Sequence, residues 1–180
     1  MAARRRSDFQ VKWNDREWNA MLRAMGEKDG REVARQAINQ TARQTRTEAA
    51  RKIAKIMGIK VTTARKSLQI LHASRQRLEA RIIASGRPRN LIHFSARQTR
   101  KGVTAKAWGS RKLYKGSFIV TTRQGQKLVM KRRGKDRLPI DPLFGPSVPD
   151  TMIDEQVRAA LQFLVEERLP RNLQRQYDRR

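Results

Sequence analysis

The sequence predicts an α+β domain in which a long N-terminal helix and a C-terminal helix pack on a mostly antiparallel β-sheet. Three observations carry that prediction. Residues 31–57, REVARQAINQTARQTRTEAARKIAKIM, place Val33, Ala37, Ile38, Ala42, Thr45, Ala49, Ile53 and Ile56 at steps of three and four, the period of one helix face. Residues 117–122 and 127–131, SFIVTT and KLVMK, flank a short Arg-Gln-Gly-Gln connector, which is a hairpin pattern. After a proline-rich stretch, Met152, Ile153, Val157, Ala160, Leu161, Leu164 and Val165 again recur at helical spacing. Helices at the two ends of a strand-rich middle are the segregated arrangement of α+β folds.

The elements follow in order. Arg4, Arg5 and Arg6 suit a flexible basic arm over 1–12, with a short strand at 9–13. Asp15 is placed to cap a helix from Arg16 to Met25, with Trp18, Met21, Leu22 and Met25 on one face. Gly26 to Gly30 holds a turn, and Asp29 is the expected cap of the long helix, which Gly58 should stop. About 27 residues make a rod of roughly 40 Å, long for a chain of this size unless its ends meet partners. A second helix is expected over 64–71, and a strand over 77–85 in which Leu78, Ala80 and Ile82 alternate with charge. Residues 91–97 and 103–108 have β-like content. Pro139, Pro142, Pro146 and Pro149 forbid a helix over 134–149. Leu138, Ile140, Leu143, Phe144 and Val148 nevertheless make that segment apolar, so it reads as extended chain laid on a surface. A helix from Asp150 should be kinked or ended by Pro170, leaving 171–180 as a polar tail of a single 1–180 domain.

Charge is the most informative feature of composition. The formal net charge is +26, and a chain so charged repels itself unless a polyanion or an acidic neighbour offsets the field. Residues 49–135 hold 24 basic residues against the single acid Glu79, while 136–180 hold 7 basic and 8 acidic residues. Cysteine is absent, which excludes disulfides and thiolate metal sites. No signal-peptide core or membrane-length apolar run is present, so a soluble intracellular protein with no membrane partner is expected.

Chemistry-bearing motifs are scarce. His72 and His93 stand apart, and no nucleophile elbow, HExxH spacing or phosphate loop occurs. Asp136, Asp141, Asp150 and Asp154 are better explained by turns and helix caps than by a metal-dependent nuclease. The expectation is no enzyme, no catalytic residue, no metal and no cofactor. The join MGIKVTTARK superficially suggests a helix-turn-helix, but its first helix is too long and its second runs straight into strand-like sequence. Arg97, Arg100, Lys101, Lys106, Arg111, Lys112 and Lys115, then Lys131, Arg132, Arg133 and Lys135, are the candidate contacts to DNA or an acidic partner. Such side chains neutralise phosphates without reading bases. Trp108 and Tyr114 lie among them and could stack or pack. Candidates for a subunit boundary are Ile38, Ile53, Leu138, Ile140, Leu143, Phe144, Val148, Leu161 and Leu164.

An ordered set of segments adds a resemblance. It comprises Ala37-Ile38-Asn39-Gln40-Thr41-Ala42, Val61 to Lys66, Arg137-Leu138-Pro139-Ile140-Asp141 with Pro146 to Pro149, and Glu167-Arg168-Leu169-Pro170. In this order, over about residues 30–177, the chain resembles the prophage minor tail protein Z family, the tail completion proteins of lambda-like long-tailed phages. The resemblance implies a non-enzymatic structural virion protein at the head-proximal end of the tail. It further implies a role in joining tail to head and in positioning the genome end. Implied partners are further copies in a ring of six, the tail terminator, tail tube and head-tail connector proteins, and phage genomic DNA contacted without sequence preference. Assembly would take place in the host cytoplasm. The alternative is a general, non-specific nucleic-acid-binding protein.

Overall fold

A computed structural model describes residues 4–12, 20 and 23–179. In chain order the elements are β1 (Arg5–Lys12), α1 (Glu27–Met57), α2 (Val61–Lys66), β2 (Leu68–Leu71) and β3 (Glu79–Gly86). A 3-10 turn (Leu91–His93) follows, then β4 (Arg97–Thr99), β5 (Gly102–Ala105), β6 (Lys112–Lys115), β7 (Ser117–Thr121), β8 (Lys127–Arg132) and β9 (Ile140–Pro142). Helices α3 (Val148–Met152) and α4 (Glu155–Tyr177) close the chain. The class is α+β, but the strands form three separate three-stranded antiparallel sheets, ordered β1-β3-β2, β4-β5-β6 and β7-β8-β9.

Helix α1 is the spine. Its 31 residues extend roughly 46 Å. It begins earlier than Asp29, because Gly26 at φ 90 turns the chain and Gly30 N–H already bonds the Gly26 carbonyl at 2.9 Å. Gly30 is therefore a buried residue inside the helix rather than part of a turn. Gly58 ends it in the left-handed region at φ 62, as anticipated. The predicted apolar face is buried apart from the half-buried Ile56, and Ala34, Ala50, Ala54 and Met57 widen it. Small side chains let α4 pack closely along it, and α4 is its most extensive partner.

The first sheet covers another part of α1. Phe9 lies opposite Ile82 and Val11 opposite Ala80, and all four are buried. Much of the segment expected to be a flexible arm is thus the strand β1, while the helix expected from Arg16 to Met25 lies for the most part outside the described residues. The helix expected over 64–71 stops at Lys66, because Leu68 to Leu71 pair with β3 instead, Leu68 opposite Ala84 and Ile70 opposite Ile82. Residues 91–97 do not start as a strand: the Asn90 side chain accepts from Ile92 N–H at 3.1 Å and winds a 3-10 turn.

The proline-rich segment begins in bends over 134–137 and then runs without helix as far as Ser147. Ile140–Pro142 joins the third sheet as β9, after a cis Leu138-Pro139 bond. Helix α3 then starts at Val148 with Pro149 in its first turn, where a proline costs no hydrogen bond. Ser147 and Asp150 form a reciprocal capping box, and Asp154 caps α4 by accepting from the Gln156 and Val157 N–H groups. The C-terminal helix does not stop at Pro170. It continues to Tyr177 because Leu169, Asn172 and Leu173 are buried beyond and around the proline. Among the described residues, no helix is long and apolar enough to cross a membrane.

Candidate polyanion-binding surface

Residues 80–135 contain no Asp or Glu, so beyond Arg81, which pairs with Glu79, few of their cations have an acidic neighbour in sequence. The second sheet sorts them onto faces. Gln98, Val103 and Tyr114 share a row, and Val103 and Ala105 point into the core. The opposite face carries Arg97, Thr104 and Leu113 in one row, with Thr99, Gly102 and Lys115 in the next. Arg111 is held over that face, donating from one guanidinium nitrogen to the Ser95 carbonyl at 3.1 Å and to Thr104 Oγ1 at 3.2 Å. Arg100 and Lys101 make the β4–β5 turn, Lys106 follows β5, and Lys112 lies at the sheet edge on the side of Ala105.

Gly102 makes this geometry possible. At φ 146, a Cβ there would sit 2.2 Å from the Tyr114 carbonyl oxygen, so only glycine lets β6 approach closely and present Lys115. All seven cations of 97–115 are exposed, and none has a carboxylate partner among the described residues. The outer face of the sheet therefore brings Arg97, Arg111 and Lys115 together as uncompensated charge, with Arg100 and Lys101 at its end.

The second predicted cluster does not converge. Lys131 and Arg132 are neighbours on a strand and so face opposite ways. Arg132 lies over the Phe118 ring, 5.6 Å from its centre. Arg133 is paired with Asp141 through two hydrogen bonds of 3.0 Å, which raises its pKa and cancels its charge. Lys135 is exposed beyond the strand. Cations outside the predicted set also belong to the acid-free stretch. Arg123 and Lys127 flank the hairpin turn and are exposed, and Arg87 and Arg89 line a cleft of about 370 Å³ with His93. The run without acids was the signal that could have found them.

Trp108 is half exposed, at 50%, and its neighbour Gly109 donates to the Ile56 carbonyl at the end of α1 at 3.0 Å. Tyr114 is partly covered, and desolvation raises its pKa. Of the two aromatics, Trp108 is the one open to a ligand.

The subunit-boundary candidates divide in a similar way. Ile38, Ile53, Val148 and Leu161 are buried in the chain's own core, so their side chains pack within the chain. The small side chains of α1 draw its neighbours close enough to cover them. Ile140, Leu143 and Leu164 are half buried, while Leu138 at 67% and Phe144 at 40% are exposed. The boundary set did not include other apolar exposures among the described residues, such as Phe163 on α4 and the row of Phe118, Val120, Leu128 and Met130, half buried on one face of the third sheet.

Of the remaining candidates for chemistry, Asp141, Asp150, Asp154 and His72 have structural contacts. Asp141 binds Arg133, Asp150 binds Arg5 at 2.8 Å besides capping α3, and Asp154 caps α4. His72 lies 3.3 Å from Asn39 Oδ1. Among the described residues, no group of three or more His, Cys, Asp or Glu side chains could hold a metal ion. Against known protein families, residues 22–180 match the one described as Prophage minor tail protein Z (GPZ). No curated protein and no solved structure matches the chain.

Proposed function

The chain belongs to the prophage minor tail protein Z family and is a structural component of a bacteriophage tail; from this premise we propose that it completes the head-proximal end of a long non-contractile tail. There it helps join tail to head and positions the genome end, as one of a ring of copies beside the tail terminator, tail tube and connector proteins. The role is structural, with no catalytic step. The observation that carries the DNA-proximal part is the outer face of the second sheet, where Arg97, Arg111 and Lys115 stand together with no carboxylate partner among the described residues. Cations in this setting gain by releasing counterions from phosphates, a term independent of base sequence. Phosphate contacts carry no base readout, so sequence preference should be weak.

The test is binding of random-sequence duplex DNA over a salt series. A linear fall of log affinity with log salt is expected. An Arg97→Gln, Arg111→Gln, Lys115→Gln variant should make that slope shallower by roughly 2–3, since each lost phosphate contact removes about one. Absence of binding at low salt, or an unchanged slope, would assign this face to an acidic protein neighbour instead. Reconstruction of the assembled tail with this subunit located tests the head-proximal position, and density elsewhere along the tube would refute it.

A further inference from the structure

A second cationic site lies away from the sheets, between the two long helices. Helices α1 and α4 run antiparallel: Asn172 meets Thr41 and Gln44, while Gln176, one turn further on, meets Gln40. Where the end of α4 passes the first half of α1, a polar groove of about 530 Å³ opens. Arg35 and Arg43 stand on one wall, and Arg175 and Arg179 on the other. Arg35 is already engaged by the buried Glu32, which also receives a hydrogen bond from Arg75 at 2.8 Å. Arg43, Arg175 and Arg179 are exposed and have no carboxylate partner among the described residues. Three like charges are therefore directed at one groove with nothing to offset them.

We propose that this groove is a docking site for an acidic peptide segment of a neighbouring protein, whose carboxylates are held by the guanidinium groups of Arg43, Arg175 and Arg179. The groove has no lysine, and guanidinium is a planar fork that clasps carboxylate and phosphate alike through two parallel bonds; the side chains between the arginines are what favour peptide over nucleic acid. Between the arginines lie Gln36, Gln40 and Gln176. Their amides offer acceptors as well as donors, and a peptide backbone can use both, whereas a phosphodiester backbone supplies acceptors only. The site rests on the helices alone and does not depend on the DNA contact assigned to the second sheet.

A strongly cationic protein attracts any polyanion, so the test must hold charge constant. The full chain would be titrated with a fluorescent oligoglutamate peptide and, separately, with random duplex DNA. An Arg43→Lys, Arg175→Lys, Arg179→Lys variant keeps every charge but removes the forks. These exposed side chains should leave the thermal midpoint unchanged, and a single Arg175→Lys variant provides a second reading if the triple variant folds poorly. The expected result is a loss of about tenfold or more in peptide affinity with DNA affinity unchanged. Retained peptide affinity would overturn the proposal and leave only diffuse charge attraction. A loss confined to DNA would also overturn it, making the groove a nucleic-acid contact.

Discussion

Asn39 and Asn90 show how single side chains fix the junctions of this fold. Asn90 Oδ1 accepts from the Val129 N–H at 2.8 Å while its Nδ2 donates to the Val129 carbonyl at 3.1 Å. Asn39 does the same to Ala73, accepting at 2.7 Å and donating at 3.0 Å. Each amide thus replaces a strand rung, one seating β8 on the 3-10 turn and the other seating the chain after β2 on α1. Only a side chain with both a donor and an acceptor can do this, and both asparagines are buried. Asn90→Asp is nearly isosteric but, when ionised, cannot donate. It loses the bond to the Val129 carbonyl, which keeps only the Leu143 N–H, sets two oxygens against each other and buries a charge, with an expected cost of roughly 2–4 kcal/mol near neutral pH. Burial should raise the introduced carboxyl's pKa above its unfolded value of about 3.9, so the folded state binds the extra proton and the deficit grows as pH rises through the folded pKa. Urea titrations at about pH 4 and about pH 7 would show the variant closer to the wild type in acid. A deficit independent of pH would mean that water reaches the site.

At the scale of elements, the block from Ala37 to Ala42 acts through α1's contacts rather than through any chemistry of its own. Ala37, Ile38 and Ala42 are buried, Thr41 accepts from Asn172 Nδ2 at 2.8 Å, and Gln40 accepts from Gln176 at 2.8 Å. These contacts explain why α4 persists beyond Pro170, although an interior proline removes a hydrogen bond and costs about 3 kcal/mol. Pro170→Ala should restore the missing N–H to the helix and raise stability by up to that amount, measured as the shift in urea midpoint. A loss of stability would instead show that the bend imposed by Pro170 seats Asn172 against α1. Long elements such as α1, α4 and the β7–β8 hairpin were legible because each carries its own period over enough residues. The strands LQIL and KLYK were not, because four residues become a strand only through pairing with β3 or β5. The site was legible as a surplus of charge but not as a face. Lys131 and Arg132 are separated by strand alternation, and Arg133 is neutralised by Asp141, which β9 pairing places opposite Lys131.

For the whole molecule the governing quantity is the net charge of +26 and its separation into regions. The described ion pairs lie mostly on the first sheet and the helices, such as Glu79 with Arg81 at 2.6 Å and Glu167 with Arg171 at 2.9 Å. Exposed pairs of this kind contribute about 0–1 kcal/mol each. Apart from Arg133 with Asp141, the cations of the second and third sheets have no carboxylate partner among the described residues. Two opposite responses to salt therefore compete. Screening weakens the surface pairs, and it also relieves repulsion within the acid-free stretch and between that stretch and the basic helix faces. Repulsion acts between many charges at distances near or above the Debye length of about 10 Å at 0.1 M, whereas the pairs act at contact and lose less. Relief of repulsion should win. The thermal midpoint of the isolated protein should rise by several degrees between about 0.01 M and about 0.5 M potassium chloride, the simple monovalent anion being chosen to avoid occupying the arginine groove. A falling midpoint over that range would mean that the ion pairs outweigh the self-repulsion and that the cationic sheets are folded stably without a partner. A rise would mean that the chain is built to be completed by one, with assembly beside a polyanion or an acidic ring supplying the counter-charge that salt supplies in the test tube.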